Sequence, residues 1–258
     1  MRIIRLPGIH HDVNATLICG DAGNYLIDVG TSWYQLLIQE RIRGKIGDDG
    51  KLDGVILTCR RYNHSGGAAF LHEEFSAPVY AHPNAAQALA TGDFFTTWAN
   101  RYDSDMPPIE TEELVDGQLF AIDDASIEIV ETPGHCNDAI AVWQAEKSVL
   151  IAGPTIPRAQ SPARWDMPTG CAPDILDSIE TLLELEAETL IPAHGEAIRS
   201  KSAVEDILNR HHTFFAEVIE DDGNMPHLWP RPAPTCNYLT PRPTWPEPPA
   251  NSKQQNDD

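Results

Sequence analysis

Apolar positions along the chain alternate between short runs typical of strands and longer, periodic segments typical of helices. Three short β-rich runs open the chain and predict an antiparallel meander: residues 3–6, 15–19 and 25–29. The periodic apolar residues that follow predict a helix that is capped by Thr31 or Ser32 and ends at Gly44. The chain therefore begins as a small sheet followed by its first helix.

The same alternation continues through the rest of the chain. A buried-type strand over 52–58 leads into a polar loop over 59–64, and a helix is predicted from Gly66 and Gly67 through Phe70. The remaining predicted strands are 78–81, 119–122, 126–131, 140–144, 149–152 and 189–192, and the remaining predicted helices are 83–89, 173–186 and 202–220. The last helix carries a capping box, Ser202 with Glu205. Strands and helices thus alternate in two similar halves.

The spacing of these elements gives no point at which two cores would separate, so one domain is predicted over residues 1–224. Residues 225–258 are dense in proline and cannot form a helix. They predict a C-terminal tail whose first part packs extended on the domain and whose last part is disordered.

Composition narrows the classes of function. The chain is 41% hydrophobic and 22% charged, and it has no apolar run of the ~20 residues that a membrane span needs. Its 39 acidic and 18 basic side chains give a formal charge of -21, which disfavours nucleic acids and anionic membrane surfaces. The five cysteines are widely spaced and predict reduced thiols, and the start of the chain lacks a secretory signal. An acidic, soluble, cytoplasmic protein is expected.

Four predicted strand ends deliver polar loops in a fixed order: residues 58–67, 132–135, 152–155 and 192–195. This order and spacing resemble the metallo-β-lactamase superfamily over roughly residues 3–219. The resemblance implies an α/β fold, a four-layer αββα sandwich, in which these loops converge at one edge.

The resemblance also implies a set of metal-ligand positions, most of which this chain has lost. The family's first motif reads Thr-His-x-His-x-Asp-His-x-Gly-Gly, and its ligand positions fall here on Cys59, Arg61, Asn63 and His64. The Thr-Pro-Gly-His motif supplies His135, the bridging aspartate falls on Pro154, and the last histidine is His194. The metal-binding motif is therefore degenerate.

These replacements determine what chemistry is expected. Pro154 has no side-chain donor atom and Asn63 is neutral, so a dinuclear centre is not expected. Arg61 carries a permanent positive charge and no lone pair, so it is expected to replace a metal's charge rather than to bind a metal. Cys59 is a competing signal, because a thiolate could join His64, His135 and His194 in a closed zinc site.

Three functional hypotheses follow, and they leave open whether the protein is an enzyme. In the first, Arg60, Arg61 and Asn63, together with the surviving histidines, bind a small anionic molecule without dinuclear hydrolysis. In the second, one divalent metal, most plausibly zinc, is held by His64, His135 and His194 and hydrolyses an ester, lactone, thioester or phosphoester. In the third, the proline-rich tail binds a partner protein.

A cysteine nucleophile is a further alternative, with Cys59 or Cys136 activated by a neighbouring histidine and favoured as a thiolate by Arg61. The sequence assigns no catalytic residue and no oligomeric state.

Overall fold

The computed structural model describes residues 1–224, which form two six-stranded sheets packed face to face with helices on both outer surfaces. This is the predicted αββα sandwich, and the predicted fold class is confirmed. The predicted packing and disorder of residues 225–258 lie outside the described residues. No helix within residues 1–224 is both long and apolar enough to cross a membrane.

The first sheet is built from the N-terminal half of the chain. Its strands, in spatial order, are β1 (Arg2–Leu6), β2 (Ala15–Cys19), β3 (Asn24–Ile27), β4 (Gly54–Ile56), β5 (Val79–Ala81) and β6 (Glu112–Glu113). The first three strands form the predicted antiparallel meander. The next three pair in parallel, because a helical segment returns the chain between β3 and β4 and again between β4 and β5.

The second sheet follows the C-terminal half. Its strands are β7 (Leu119–Ile122), β8 (Ala125–Glu131), β9 (Ile140–Gln144), β10 (Val149–Ile151), β11 (Thr189–Ile191) and β12 (Ile198–Arg199), and neighbours in sequence are neighbours in the sheet. Only β10 and β11 pair in parallel, across the helix that connects them.

The helices cover the outer faces of both sheets. They are α1 (Gln35–Ile46), α2 (Tyr62–Ser65), α3 (Ala68–Phe75), α4 (Pro83–Thr91), α5 (Ala172–Glu184) and α6 (Lys201–Glu220). Apolar residues of α1, α3 and α4 pack in one core with the outer face of the first sheet, and those of α5 and α6 pack in another with the second sheet. A third core lies between the sheets and contains Ile18, Ile56, Ile129 and Val142.

Several element boundaries differ from the sequence prediction. Helix α1 continues through the exposed Gly44 and ends before Gly47, whose φ of 86° ends the helical path. The predicted polar loop over 59–64 contains the single-turn helix α2. The predicted capping box is wrong, because the cap of α6 is Ser200, whose hydroxyl accepts from the amide of Ala203.

The predicted strand ends converge at one edge of the sandwich. The amide of Ile140 donates to the backbone oxygen of Thr58 (2.9 Å), which ties the end of the first sheet to the second. Gly153 follows β10 at this junction with a φ of +52°, and a β-carbon there would lie 2.4 Å from the oxygen of Ile140 and 2.9 Å from the β-carbon of Thr58. Only glycine fits this crossing without strain.

Replacing Gly153 with alanine should therefore destabilise the protein. We expect Gly153→Ala to lower the free energy of unfolding by about 2 kcal/mol or more, from backbone strain and overlap together. Gly44→Ala is the matched control, since a β-carbon there meets nothing within 4 Å and alanine favours a helix interior by up to about 1 kcal/mol. Urea denaturation measures the free energy of unfolding of both variants. Equal values for Gly153→Ala and Gly44→Ala would contradict the close contact at Gly153.

A buried histidine links α6 to the segment that leads out of β10. His211 is 0% exposed, and burial lowers its pKa to about 4, although hydrogen bonds to the backbone of Ala159 and Arg158 offset part of that effect. The unfolded chain takes up a proton on this ring near the ordinary pKa of 6.5, whereas the folded chain resists protonation down to about 4. The stability that His211 contributes is therefore intact above about pH 6.5 and decreases as the pH falls towards 4.

His211→Gln should flatten the acid side of the stability profile. We expect the free energy of unfolding of the wild type to fall by about 2 kcal/mol more than that of the variant between about pH 7 and pH 5. The measured quantity is the slope of the free energy of unfolding against pH. A loss of stability that is the same at every pH does not change this slope. Parallel profiles for the two proteins would show that the ring is not held neutral by the fold.

Candidate functional site

The converging loops enclose a cavity of about 60 Å³, which has room for several water molecules. Its walls come from the loops that follow β4, β8, β10 and β11, from Trp98 and from the segment 157–167. The described residues that line it are Arg61, Asn63, His64, Trp98, His135, Pro154, Pro157, Arg158, Ser161, Pro162, Arg164, Met167, Ala193 and His194. Polar groups thus converge on a largely apolar enclosure, as in sites for small molecules.

The charge of this wall is opposite to that of the chain. Three arginines and three histidines line the cavity, and none of the described lining residues is acidic, although the chain carries a formal charge of -21. Local cations in a partly closed, low-dielectric cavity determine its potential more than distant surface charge does. The wall is therefore suited to an anion.

Arg61 is the most buried of these cations, at 2% exposure. Its Nη1 donates to the backbone oxygen of Thr96 (2.6 Å) and its Nη2 to the backbone oxygen of Pro168 (2.7 Å), while the guanidinium carbon lies 5.8 Å from the ring centre of Trp98. These contacts fix the side chain, but none of them supplies a negative charge. Its buried Nε has no hydrogen-bond partner among the described residues.

Two further arginines differ in how they are compensated. Arg164 forms a bidentate pair with Asp166, at 2.8 Å from Nε and 2.6 Å from Nη2, and its guanidinium lies 4.8 Å from the ring centre of Trp98. Its buried Nη1 has no partner within residues 1–224. Arg158 lines the cavity but is exposed, and no described carboxylate forms an ion pair with it.

His64 is oriented from behind by a carboxylate. Its Nδ1 lies 2.9 Å from Oδ2 of Asp28 and 2.9 Å from Oγ1 of Thr58, so Nδ1–H donates away from the cavity. Asp28 also accepts from the amide (2.8 Å) and hydroxyl (2.6 Å) of Thr58. This arrangement leaves Nε2 of His64 as the ring atom available to the cavity.

The other two histidines are held neutral. Nδ1 of His135 donates to the backbone oxygen of Arg164 (3.0 Å), and burial followed by the charge of Arg61 keeps the pKa of this ring well below its usual range. Burial and the charge of Arg158 lower the pKa of His194 to about 3. His135 and His194 therefore add no positive charge to the cavity near neutral pH, and its permanent positive charges are those of the arginines.

Five of the seven residues predicted from the sequence come together here: Arg61, Asn63, His64, His135 and His194 all line the cavity. Arg60 does not line it. Its Nε pairs with the buried Asp138 at 2.9 Å, and its backbone amide donates to the same carboxylate at 2.6 Å. A buried pair of this kind holds a loop in place and leaves no guanidinium free for a ligand.

Cys59 is also placed outside the cavity wall. Its side chain packs with Cys136 and Ala139, and burial and the neighbouring thiol raise the pKa of Cys59 well above its usual range. The expectation that Arg61 would favour a thiolate is therefore wrong, because burial and the neighbouring groups stabilise the neutral thiol. A neutral thiol facing away from the cavity is poorly suited to act as a nucleophile or as a metal ligand.

The residues present do not fit the metal centre that the motif positions imply. Pro154 occupies the position of the bridging carboxylate and lines the cavity without a donor atom, while the guanidinium of Arg61 stands at a second ligand position. Within residues 1–224, no three His, Cys, Asp or Glu side chains are placed to hold a metal ion together.

Sequence reasoning missed the charged and aromatic residues Asp28, Trp98, Arg158 and Arg164 of this site. Asp28 follows the last residue of β3 and has a φ of 58°, a conformation that aspartate adopts more readily than most residues but that the sequence alone does not reveal. The other three lie in irregular segments whose side-chain directions no periodicity predicts.

Comparison with known proteins agrees with the fold and the loop order. The family model described as the metallo-β-lactamase superfamily matches residues 9–194. A probable metallo-hydrolase of Methanocaldococcus jannaschii is 31% identical over 201 residues, which cover 75% of this chain and 93% of the relative. A hydroxyacylglutathione hydrolase of Rhodospirillum rubrum is 31% identical over 137 residues, covering 53% of this chain and 45% of the relative.

Solved structures with the same fold include a Cronobacter sakazakii metallo-β-lactamase described by a HARLDQ motif. It has a TM-score of 0.69 and 19% identity, and the match covers 85% of this chain and 92% of that one. The matched family model spans all four converging loops, and the chain belongs to the metallo-β-lactamase superfamily.

Proposed function

We propose that the cavity binds a small anionic molecule, with Arg61 as its central cation, and that this binding does not depend on a dinuclear metal centre. One observation carries the proposal: a guanidinium that is 2% exposed lines a cavity without an acidic residue among the described ones, and its fixed contacts are to neutral groups. Its buried Nε has no hydrogen-bond partner among the described residues, so the side chain is not fully satisfied by its own fold.

Burying the positive charge of Arg61 costs free energy. Moving an ion out of water costs several kcal/mol even after relaxation, and a partner charge offsets that cost only if the geometry is good. Backbone oxygens from Thr96 and Pro168 satisfy two donors but leave the net charge in place. An anion in the cavity would supply the missing charge through charge-assisted hydrogen bonds.

The charge of Arg61 favours an anion over a cation as the ligand. A second positive charge beside Arg61 would be repelled, which is also why Arg61 helps to lower the pKa of His135. The superfamily's metals would meet the same repulsion at this position. Membership of a superfamily of metallo-hydrolases thus gives this chain its scaffold, while the proposed ligand follows from its own side chains.

Arg61→Gln tests the proposal directly. We expect the variant to bind its preferred small oxyanion about 10-fold to 100-fold more weakly than the wild type, because one or two hydrogen bonds to a charged donor are lost. Isothermal titration with phosphate, sulfate, benzoate and succinate at low ionic strength measures the change. Thermal melting shows whether the variant keeps its fold.

Arg199→Gln is the matched control, because Arg199 is exposed on β12 and its loss changes the net charge by the same amount. The control should bind like the wild type. Equal affinities for the wild type and Arg61→Gln, or no binding of any of the four anions, would overturn the proposal.

A further inference from the structure

Two positive charges of the cavity lack a compensating carboxylate in the described part of the chain, and they differ in position. Arg61 is almost fully buried, whereas Arg158 is exposed. The third cation, Arg164, is neutralised by its bidentate contact with Asp166. The carboxylate of Asp28 does not compensate these charges at the cavity wall, because it lies behind the ring of His64 and does not line the cavity.

The two uncompensated cations flank different histidines. The backbone agrees with this placement, since Nη2 of Arg61 approaches the backbone oxygen of His135 at 3.5 Å and the amide of His194 donates to the oxygen of Pro157, the neighbour of Arg158. Arg61 therefore lies beside the loop that carries His135, and Arg158 adjoins the residue that binds the loop of His194.

Part of the cavity wall around these two cations is apolar. Pro154, Pro162 and Met167 line it together with the ring of Trp98. Such a wall favours a compact hydrocarbon body over a second polar group in the middle of a ligand.

We infer that the ligand carries two separate anionic groups joined by a short apolar body, as in a small dicarboxylate, with one group at Arg61 and the other at Arg158. The inference rests on the proposed function and adds the ligand's charge and its division between two ends. A single anionic group leaves one of the two cations without a partner. Each added contact between a carboxylate and a guanidinium should strengthen binding about tenfold.

A matched ligand series separates this inference from the proposed function. The probes are malonate, succinate and glutarate, each compared with its monoamide, which keeps the shape and removes one charge. Inorganic phosphate is the probe with two charges on one group. Titrations at about pH 8 and low ionic strength use the full chain of the wild type, Arg158→Gln and the control Arg199→Gln.

We expect at least one diacid to bind the wild type and the control about tenfold more tightly than its monoamide. In Arg158→Gln the ratio should fall to near one, while affinity for the monoamide changes less than about threefold. Because Arg158 is exposed, its replacement should leave the melting temperature unchanged.

Each of the other outcomes would contradict a different part of the inference or of the proposed function. Equal binding of diacids and monoamides, or tight binding of phosphate alone, would overturn the two-ended ligand and leave the proposed function intact. A diacid preference that survives in Arg158→Gln would overturn the role of Arg158. Absence of binding by every probe would overturn the proposed function together with this inference.

Discussion

The site depends on the contacts of the Arg61 guanidinium, because they join three loops that are far apart in the sequence. It leaves the turn before α2, reaches the backbone oxygens of Thr96 and Pro168, and lies over the ring of Trp98. Backbone acceptors hold its position without cancelling its charge. The cavity therefore keeps a fixed positive charge where its walls meet.

The αββα scaffold explains why such a contact can exist. The chain delivers loops from both sheets to the same edge, and the bond from Ile140 to Thr58 together with the glycine crossing at Gly153 brings them into contact. Histidine side chains from three of these loops then share one enclosure with Arg61. Local sequence determines each loop, but the packed sheets determine which loops meet.

The sequence predicted the layers and the convergence of the loops, because hydrophobic periodicity and strand-end motifs are local signals. The motif position favoured Arg61, but the sequence could not decide whether Arg60 also enters the cavity. That choice depends on Asp138, 78 residues away, which captures Arg60 and leaves Arg61 at the cavity wall. The walls supplied by Arg158 and Arg164 were missed for a similar reason, since irregular segments carry no periodic signal for side-chain direction.

The fold of this chain follows from its family, whereas the charge of its cavity follows from its own side chains. Superfamily membership accounts for the fold, the loop order and the retained histidines. Of the positions that the family's motif implies for metal ligands, Pro154 has no side-chain donor atom and Arg61 carries a permanent positive charge. A scaffold can thus be kept while its site takes a different charge.

The central claim is that a fixed guanidinium supplies the charge that a metal supplies elsewhere on this scaffold. Its most direct test is to measure anion affinity in protein prepared with a strong chelator, again after zinc is added, with elemental analysis of the same samples. The account predicts one affinity throughout and far less than one metal ion per chain. Binding that disappears on chelation and returns with about one zinc ion per chain would contradict it.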